Sequence, residues 1–466
     1  MSPIRASVVC LLAVFVCASA RAVTFFVPPD RELIQKADDI VIATGVTSVV
    51  ERNARGAIVT RTTLRIEDVL KGQRRAGQHL VLVERGGILD GRATYIPGTP
   101  EYAPGARYLV FTSTNRDLEP VTLGMSLGRF TFEGSLLVRA DVSGFDENLE
   151  PHTERPRDAK KFVEYIRGIL AQRIDPEPAY FVSSGAAPAS GAGFPAPQAG
   201  GFTRGSYLMS QGTTYFRWQT PVATFVRSGI QPIIDGPAAV TKAFGQWNST
   251  ESNIHYTDAG QNDSALGGLD LADGRNTILF NDPNGEIDDA SLVAGIGGIT
   301  NATGPYALDG ESFFAMIEVD VVMANRTFAQ NCFDSVVTHE VGHTLGFRHS
   351  NQSNDGLTSC APPLDCTSTA IMNSAVNCTH NGVLRPYDKN AAATVYGSGV
   401  TNPTCTPPSI TRQPQNRAIT SGKSATMSVD AAGTGPLTYQ WYAGPVGNTS
   451  APVENGNGNT VSVTPN

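Results

Sequence analysis

Residues 338–350 read Thr338-His339-Glu340-Val341-Gly342-His343-Thr344-Leu345-Gly346-Phe347-Arg348-His349-Ser350. Side chains four apart share one face of a helix, so His339 and His343 project together, one turn apart, at a separation that a single Zn2+ bridges at ~2.0 to 2.1 Å per nitrogen. Gly346 can take the positive φ that ends a helix and turns the chain back, which brings His349 round as a third ligand. Three protein ligands leave a fourth position for water, the arrangement of a catalytic rather than a structural zinc. His339, His343 and His349 are therefore the expected metal ligands. Glu340, beside them but not ligating, is the expected general base. Histidines on an ordinary helix surface, or a zinc site without catalysis, would leave Glu340 without a reason to be there.

Outward from this motif, 466 residues at roughly 100 to 200 per domain predict two to four domains. Lys and Arg total 35 against 43 Asp and Glu, and an acidic chain of this size is a poor nucleic-acid ligand. Gly and Pro number 47 and 30, loop-rich but below the ~25 to 30% of wholly disordered chains, so most of the chain is expected to fold as strands and turns. Residues 1–22 read as a secretory leader: Arg5, an apolar run from Val8 to Ala18, then small-x-small sites at Ala18-Ser19-Ala20 and Ala20-Arg21-Ala22. A membrane anchor needs roughly 18 or more apolar residues, and no later stretch could span a bilayer. The chain is thus expected to be secreted, with disulfides permitted. Loss of Arg5 and Arg21 takes the formal charge from -8 to -10. Loss of Cys10 and Cys17 leaves Cys332, Cys360, Cys366, Cys378 and Cys405, an odd set whose pairing the sequence cannot choose; Cys360 with Cys366 would close a small loop.

Residues 23–175 alternate β-rich runs with turn signals, Ile40 to Val46, Ala57 to Ile66, His79 to Val83 and Tyr108 to Thr112. They predict a barrel or sandwich closed by a helix over 157–173, where Phe162, Ile166 and Leu170 recur at i, i+4 and i+8. Residues 176–204, mostly Ser, Gly, Ala and Pro from Ser183 to Gly201, predict a flexible linker. A further domain over 205–398 opens with strands Tyr215 to Trp218 and Val222 to Val226, then a helix with Val240, Phe244 and Trp247 on one face. Strands at Asn276 to Phe280 and Phe314 to Met323 bracket a Gly-rich stretch ahead of the motif helix, and a last helix from Asp388 to Tyr396 stops at Gly397. Residues 404–466 change composition again, with Pro407, Pro408 and Pro414 before Leu437-Thr438-Tyr439-Gln440-Trp441-Tyr442.

The spacing H-E-x-x-H-x-x-G-x-x-H resembles the zinc signature of the metzincin metallopeptidases, and the Ser350 after it is similar to the matrixin branch in its bacterial secreted form. Ala370-Ile371-Met372 fits that family's Met-turn, and the resemblance implies that Met372 lies beneath the zinc as a floor, not a ligand. The stretch Asp388 to Gly397 resembles the family's closing helix, so the likeness covers about 205–398. It implies an α+β catalytic domain, one catalytic Zn2+, and peptide-bond hydrolysis with Glu340 as base. It also implies a polypeptide substrate added as a strand to a sheet edge, for which Val293 to Thr300, with Gly297, Gly298 and Ile299 at its centre, is the candidate by its place in the chain. A bridge from Cys332 to Cys378, just past the Met-turn, would clamp the two zinc-bearing segments. The C-terminal stretch resembles the front half of a bacterial immunoglobulin-like sandwich with Trp441 in its core, cut short of the ~100 residues such a fold needs. The expected chain is multi-domain: a β-rich N-terminal domain, the catalytic domain and a partial β-sandwich.

Departures from the family are visible. Residues 23–331 contain no Cys, which excludes the matrixin cysteine switch, and His255 is the one histidine near the place of a second, structural zinc. Asp282-Pro283-Asn284-Gly285-Glu286-Ile287-Asp288 offers oxygens to calcium but is not an EF-hand loop and reads more readily as an Asx-rich turn. Ala37 to Val41, Val69 to Gly72 and Pro104 to Leu109 resemble the barrel of secreted metalloproteinase inhibitors, without the N-terminal cysteine that those proteins use on zinc. The competing reading is an inactive secreted binding or adhesion protein on the same scaffold; Glu340 and three intact histidines argue for the enzyme.

Overall fold

A computed structural model describes residues 23–464 apart from 140–141, 143, 147–151, 153, 173–177, 183–203, 265–266, 352–368, 398–408, 416–422, 433–438, 445–449 and 454–458. The expected leader, most of the expected linker, Cys360, Cys366 and Cys405 lie outside the described residues. Early in the chain, strands Asp39–Arg52 and Ile58–Lys71 form a hairpin whose turn is set by Asn53, its side-chain oxygen accepting the N–H groups of Arg55 and Ala57, the local bonding that favours Asn in turns. They lie in an eight-stranded sheet in the order Arg157–Asp158, Leu136–Val138, Arg129–Glu133, Arg107–Thr114, Asp39–Arg52, Ile58–Lys71, His79–Arg85, with Pro120–Thr122 also beside Arg107–Thr114. Every pairing in it is antiparallel.

Helix Ala159–Leu170 covers one face of this sheet. Asp158 caps it by accepting the Lys161 N–H at 2.9 Å, and Phe162, Ile166 and Ile169 are buried in one cluster with Leu109, Phe111 and Phe130. Ile169 sits deeper than the predicted Leu170, which is only partly buried.

The second sheet carries the motif. Strands His255–Gln261, Val222–Ser228, Asn276–Leu279 and Glu311–Met323 pair parallel in that order, and Val293–Leu308 follows antiparallel to Glu311–Met323. Helix Gly236–Asn248, capped by Asp235 through the Ala238 N–H, and helix Gln330–Thr344 pack against each other. Val240, Phe244 and Trp247 are buried as their spacing predicts. Helix Pro386–Tyr396 starts two residues before the predicted Asp388, with Pro386 at the first helical position, where its missing N–H costs nothing. A disulfide joins Cys332, in the motif helix, to Cys378.

The sheet does not end at Val293–Leu308. Strands Thr24–Phe26 and Arg92–Tyr95, both from the first part of the chain, pair antiparallel with it. Residues 23–175 and 205–398, which the sequence divides into two domains, thus share one sheet and belong to one compact unit, 1–400. Hydropathy patterns show that a strand exists but not which strand it pairs with. Outside the sheet, Arg85 and Arg116 both bind Asp270, and Arg85 donates as well to the Glu286 carbonyl at 2.7 Å.

Residues 401–466 form a second unit. Ser409–Arg412 pairs with Asp430–Ala432, and Ala425–Ser428 with Thr460–Val463. Trp441 is half-buried there rather than enclosed in a core. No helix among the described residues is long and apolar enough to cross a membrane.

Arg85→Ala leaves the Asp270 carboxylate with Arg116 as its remaining ion-pair partner among these. The expected cost is about 3 kcal/mol, within the range for breaking a largely buried ion pair, read as a fall in the urea midpoint without a change in slope.

Candidate metal centre

Helix Gln330–Thr344 is buried at every residue from Cys332 to Thr344, so it is a central element and its polar side chains need internal partners. Its C-terminal carbonyls, which a helix leaves unpaired, are met by buried aromatic donors. Thr344 O accepts from Trp218 Nε1 at 2.8 Å and the Tyr256 hydroxyl at 2.9 Å, and Leu345 O from the Tyr396 hydroxyl at 2.7 Å. The helix stops at Gly346, whose φ is +85° and where a Cβ would stand 2.4 Å from the Phe216 carbonyl oxygen. Position 346 is therefore closed to any other residue on two counts.

The turn at Gly346 returns His349 to the helix. His339 Nε2 lies 2.9 Å from His343 Nε2 and 3.1 Å from His349 Nε2, and the three histidines are the one group of His, Cys, Asp or Glu among the described residues placed to hold a metal ion. Tetrahedral ligands at ~2.0 to 2.1 Å from zinc stand about 3.3 Å apart, so the donor set fits Zn2+ in number, atom type and spacing. His339 Nδ1 is 2.7 Å from Ile371 O, and His343 Nδ1 is 2.7 Å from Phe347 O. A carbonyl only accepts, so both Nδ1 atoms carry the proton and both Nε2 lone pairs face the centre. Burial pushes His339 down to about 4 and His343 well below the usual imidazole range, the latter aided by His339 nearby; both are neutral donors at ordinary pH.

Met372 is buried against the motif helix. A Cβ on Gly342 would stand 2.2 Å from its sulfur, so the glycine between the two helical histidines is what lets Met372 approach. Its carbonyl accepts the Ser350 N–H at 2.7 Å, tying the segment after His349 to the segment that holds His339.

Glu340 turns its carboxyl toward strands Val293–Leu308 and Thr24–Phe26. Its Oε2 accepts the Gly297 N–H at 2.7 Å and its Oε1 accepts the Thr24 hydroxyl at 2.9 Å. Burial pushes its carboxyl up to about 8, against hydrogen bonds from the Thr24 hydroxyl, Gly297 N–H and Thr24 N–H. Gly297, Gly298 and Ile299, the expected substrate edge, are in that strand, but it is not a free edge: Ile299 pairs with Tyr95 and Gly295 with Thr24.

Two residues that bear on the centre escaped the sequence reading. Asp388, read only as part of a closing helix, is buried; its Oδ2 accepts the N–H groups of Ile371 at 2.9 Å and Arg385 at 2.8 Å, and its Oδ1 that of Met372 at 3.1 Å. It fixes the peptide whose carbonyl orients His339. Burial pushes Asp388 up to about 6 against those three donors. An acidic residue in a first helical turn is ordinary, so no local signal marks it. Thr24, on which Glu340 depends, had no signal at all.

Within Asp282 to Asp288, Asp282 accepts the N–H groups of Glu286 at 2.7 Å and Ile287 at 2.9 Å, an Asx turn, and calcium finds no support. His255 is exposed on its strand, away from the three histidines.

Residues 284–396, about a quarter of the chain, are similar to the Peptidase M57 family, described as dual-action HEIGH metallopeptidases. Read as one-letter code, HEIGH differs from residues 339–343 only in Ile for Val341. No curated protein matches the chain. The family likeness and the histidine triad together support a zinc-dependent metallopeptidase, a hydrolase acting on polypeptides.

Asp388→Asn keeps the shape but puts an NH2 where a carboxylate oxygen accepts. Zinc affinity is expected to fall about 10- to 100-fold, as for other losses of groups that orient a ligand, measured by competition with a chromophoric chelator.

Proposed function

We propose that the chain is a secreted zinc-dependent endopeptidase of the metzincin type, cutting extended segments of extracellular proteins. The observation that carries the reading is the convergence of three imidazole Nε2 atoms, those of His343 and His349 lying 2.9 and 3.1 Å from that of His339, with Glu340 one residue from the first of them. Export rests on the leader expected over residues 1–22, and the matrixin and immunoglobulin-like likenesses rest on their motifs. An inactive adhesion scaffold would have no use for a carboxylate kept buried beside a metal site at the cost of its desolvation.

His339, His343 and His349 would hold a zinc ion, which when bound would supply a water of pKa near 7 and a Lewis acid for the scissile carbonyl. The rest of the chemistry belongs to the chain. The Gly297 N–H fixes Glu340 Oε2, which leaves Oε1 as the atom that takes the proton from the attacking water and returns it to the leaving amine. The strand around Gly297, Gly298 and Ile299 offers main-chain groups that align an extended peptide by strand addition. Its side of the sheet faces the motif helix, so a peptide paired there passes Glu340.

Glu340→Gln is expected to retain one zinc per chain and lose about 100-fold or more in kcat on a quenched-peptide library, the usual worth of a positioned base. His343→Ala loses the zinc itself. Excess chelator abolishes cleavage by the full chain and added zinc restores it. Cleavage that survives complete metal removal, or a Glu340→Gln protein as fast as the parent, sinks the reading.

A further inference from the structure

The atom that should take the proton is already in use. The Thr24 hydroxyl donates to Glu340 Oε1 at 2.9 Å, and both residues are fully buried. The strand that presents Thr24 lies along the proposed substrate edge. Thr24 pairs with Gly295 and Phe25 with Val293, antiparallel, and the Phe26 N–H donates to Leu292 O at 2.8 Å. Farther along the same edge, Arg92–Tyr95 pairs with Thr303, Ala302 and Ile299, and the Thr94 hydroxyl donates to Thr300 O at 2.8 Å. A substrate strand and these two strands need the same N–H and C=O groups, so they exclude one another.

The segment is firmly seated. Val23 and Phe25 are each 1% exposed. The Arg326 guanidinium stacks 3.5 Å from the centroid of the Phe26 ring, which also packs on Phe145 and Phe328. On its outer side Thr24–Phe26 pairs parallel with Gly144–Phe145, so the first part of the chain holds it from behind and presents it. Lys36–Asp289, Arg85–Asp270 and Arg116–Asp270 fasten the same two regions outside the sheet.

We propose that Thr24–Phe26 occupies this chain's own substrate groove and caps its base, so that residues 23–175 are an inhibitor carried in cis and the protein as drawn is latent. The proposal rests on the peptidase reading for what the groove is for, but occupancy can be tested apart from turnover. The leader cut expected after Ala22 would leave Thr24, which caps Glu340, as the second residue of the chain, so the device is in place as soon as the leader is gone.

The test uses the full chain from Val23, zinc-loaded, as parent, Thr24→Pro and Thr24→Val. Proline removes the N–H donor and breaks the strand pairing; valine keeps the β-branched shape and removes only the hydroxyl. The probe is a fluorescent tripeptide hydroxamate, which needs both the metal and the edge, followed by anisotropy. The parent is expected to bind it poorly, Thr24→Val about tenfold more tightly, in line with the loss of one hydrogen bond, and Thr24→Pro more tightly still, with zinc content unchanged. Should Thr24→Pro misfold by circular dichroism, Thr24→Val decides alone. Equal binding by parent and variants, or no binding by any of them with one zinc each, overturns the proposal. Tighter binding without any peptide cleavage upholds the occupied groove and counts against the peptidase; cleavage by the parent as fast as by the variants does the reverse.

Discussion

Three imidazole nitrogens can face one another across about 3 Å in a buried site only if something else holds the rings, and nearly all of this protein follows from that requirement. His339 and His343 each give the Nδ1 proton to a backbone carbonyl, of Ile371 and Phe347. The first carbonyl has to be delivered from beyond the motif, so residues 370–372 must be held; Asp388 does this from a helix farther on. The second has to come from the turn that follows the helix, so Gly346 must reverse the chain while Trp218, Tyr256 and Tyr396 take up the carbonyls that the reversal leaves bare. The disulfide from Cys332 to Cys378 brackets the same two segments from the other end of the helix. Metal binding to such a prepared site adds to folding stability by mass action, and because the ring tautomers are set in advance, little of the binding energy goes into rearrangement.

What could be read from the sequence was what has a period or a fixed spacing. The three histidines and Glu340 sit within eleven residues whose helical geometry is enough to foresee their convergence. The stripe Val240, Phe244 and Trp247 and the stripe through Phe162 and Ile166 are local for the same reason. Met372 was legible only because it stands at a familiar distance from the motif. Asp388 was not, since its role lies in three N–H groups from two separate segments and nothing in its own neighbourhood differs from an ordinary first turn. Thr24 was the least legible of all. Its partner is 316 residues away, and Thr24-Phe25-Phe26 is too short a run to show alternation. The division at residues 176–204 followed composition faithfully, yet composition reports how a segment behaves, not whether the regions on either side of it complete one another's sheet.

That shared sheet answers two demands with one set of residues. Val293–Leu308 is 16 residues long and buried over its first eight, Gly-rich and almost free of charge, the kind of edge that pairs indiscriminately when left open. An enzyme that recognises peptides by strand addition cannot charge, kink or shorten that edge without losing its substrate. Covering it reversibly with part of the same chain is the remaining way to make it safe. Because the covering strands precede the edge in the sequence, they are synthesised first and are present when the edge forms, at a stage when exposed strands are most prone to mispair. The contact between Thr24 and Glu340 then follows with little added cost: a buried carboxylate pushed up to about 8 needs donors wherever water is excluded, and the strand that shields the edge passes close enough to provide them. Latency, on this argument, is the same physical event as protection of the edge, and no separate switch residue is required to produce it.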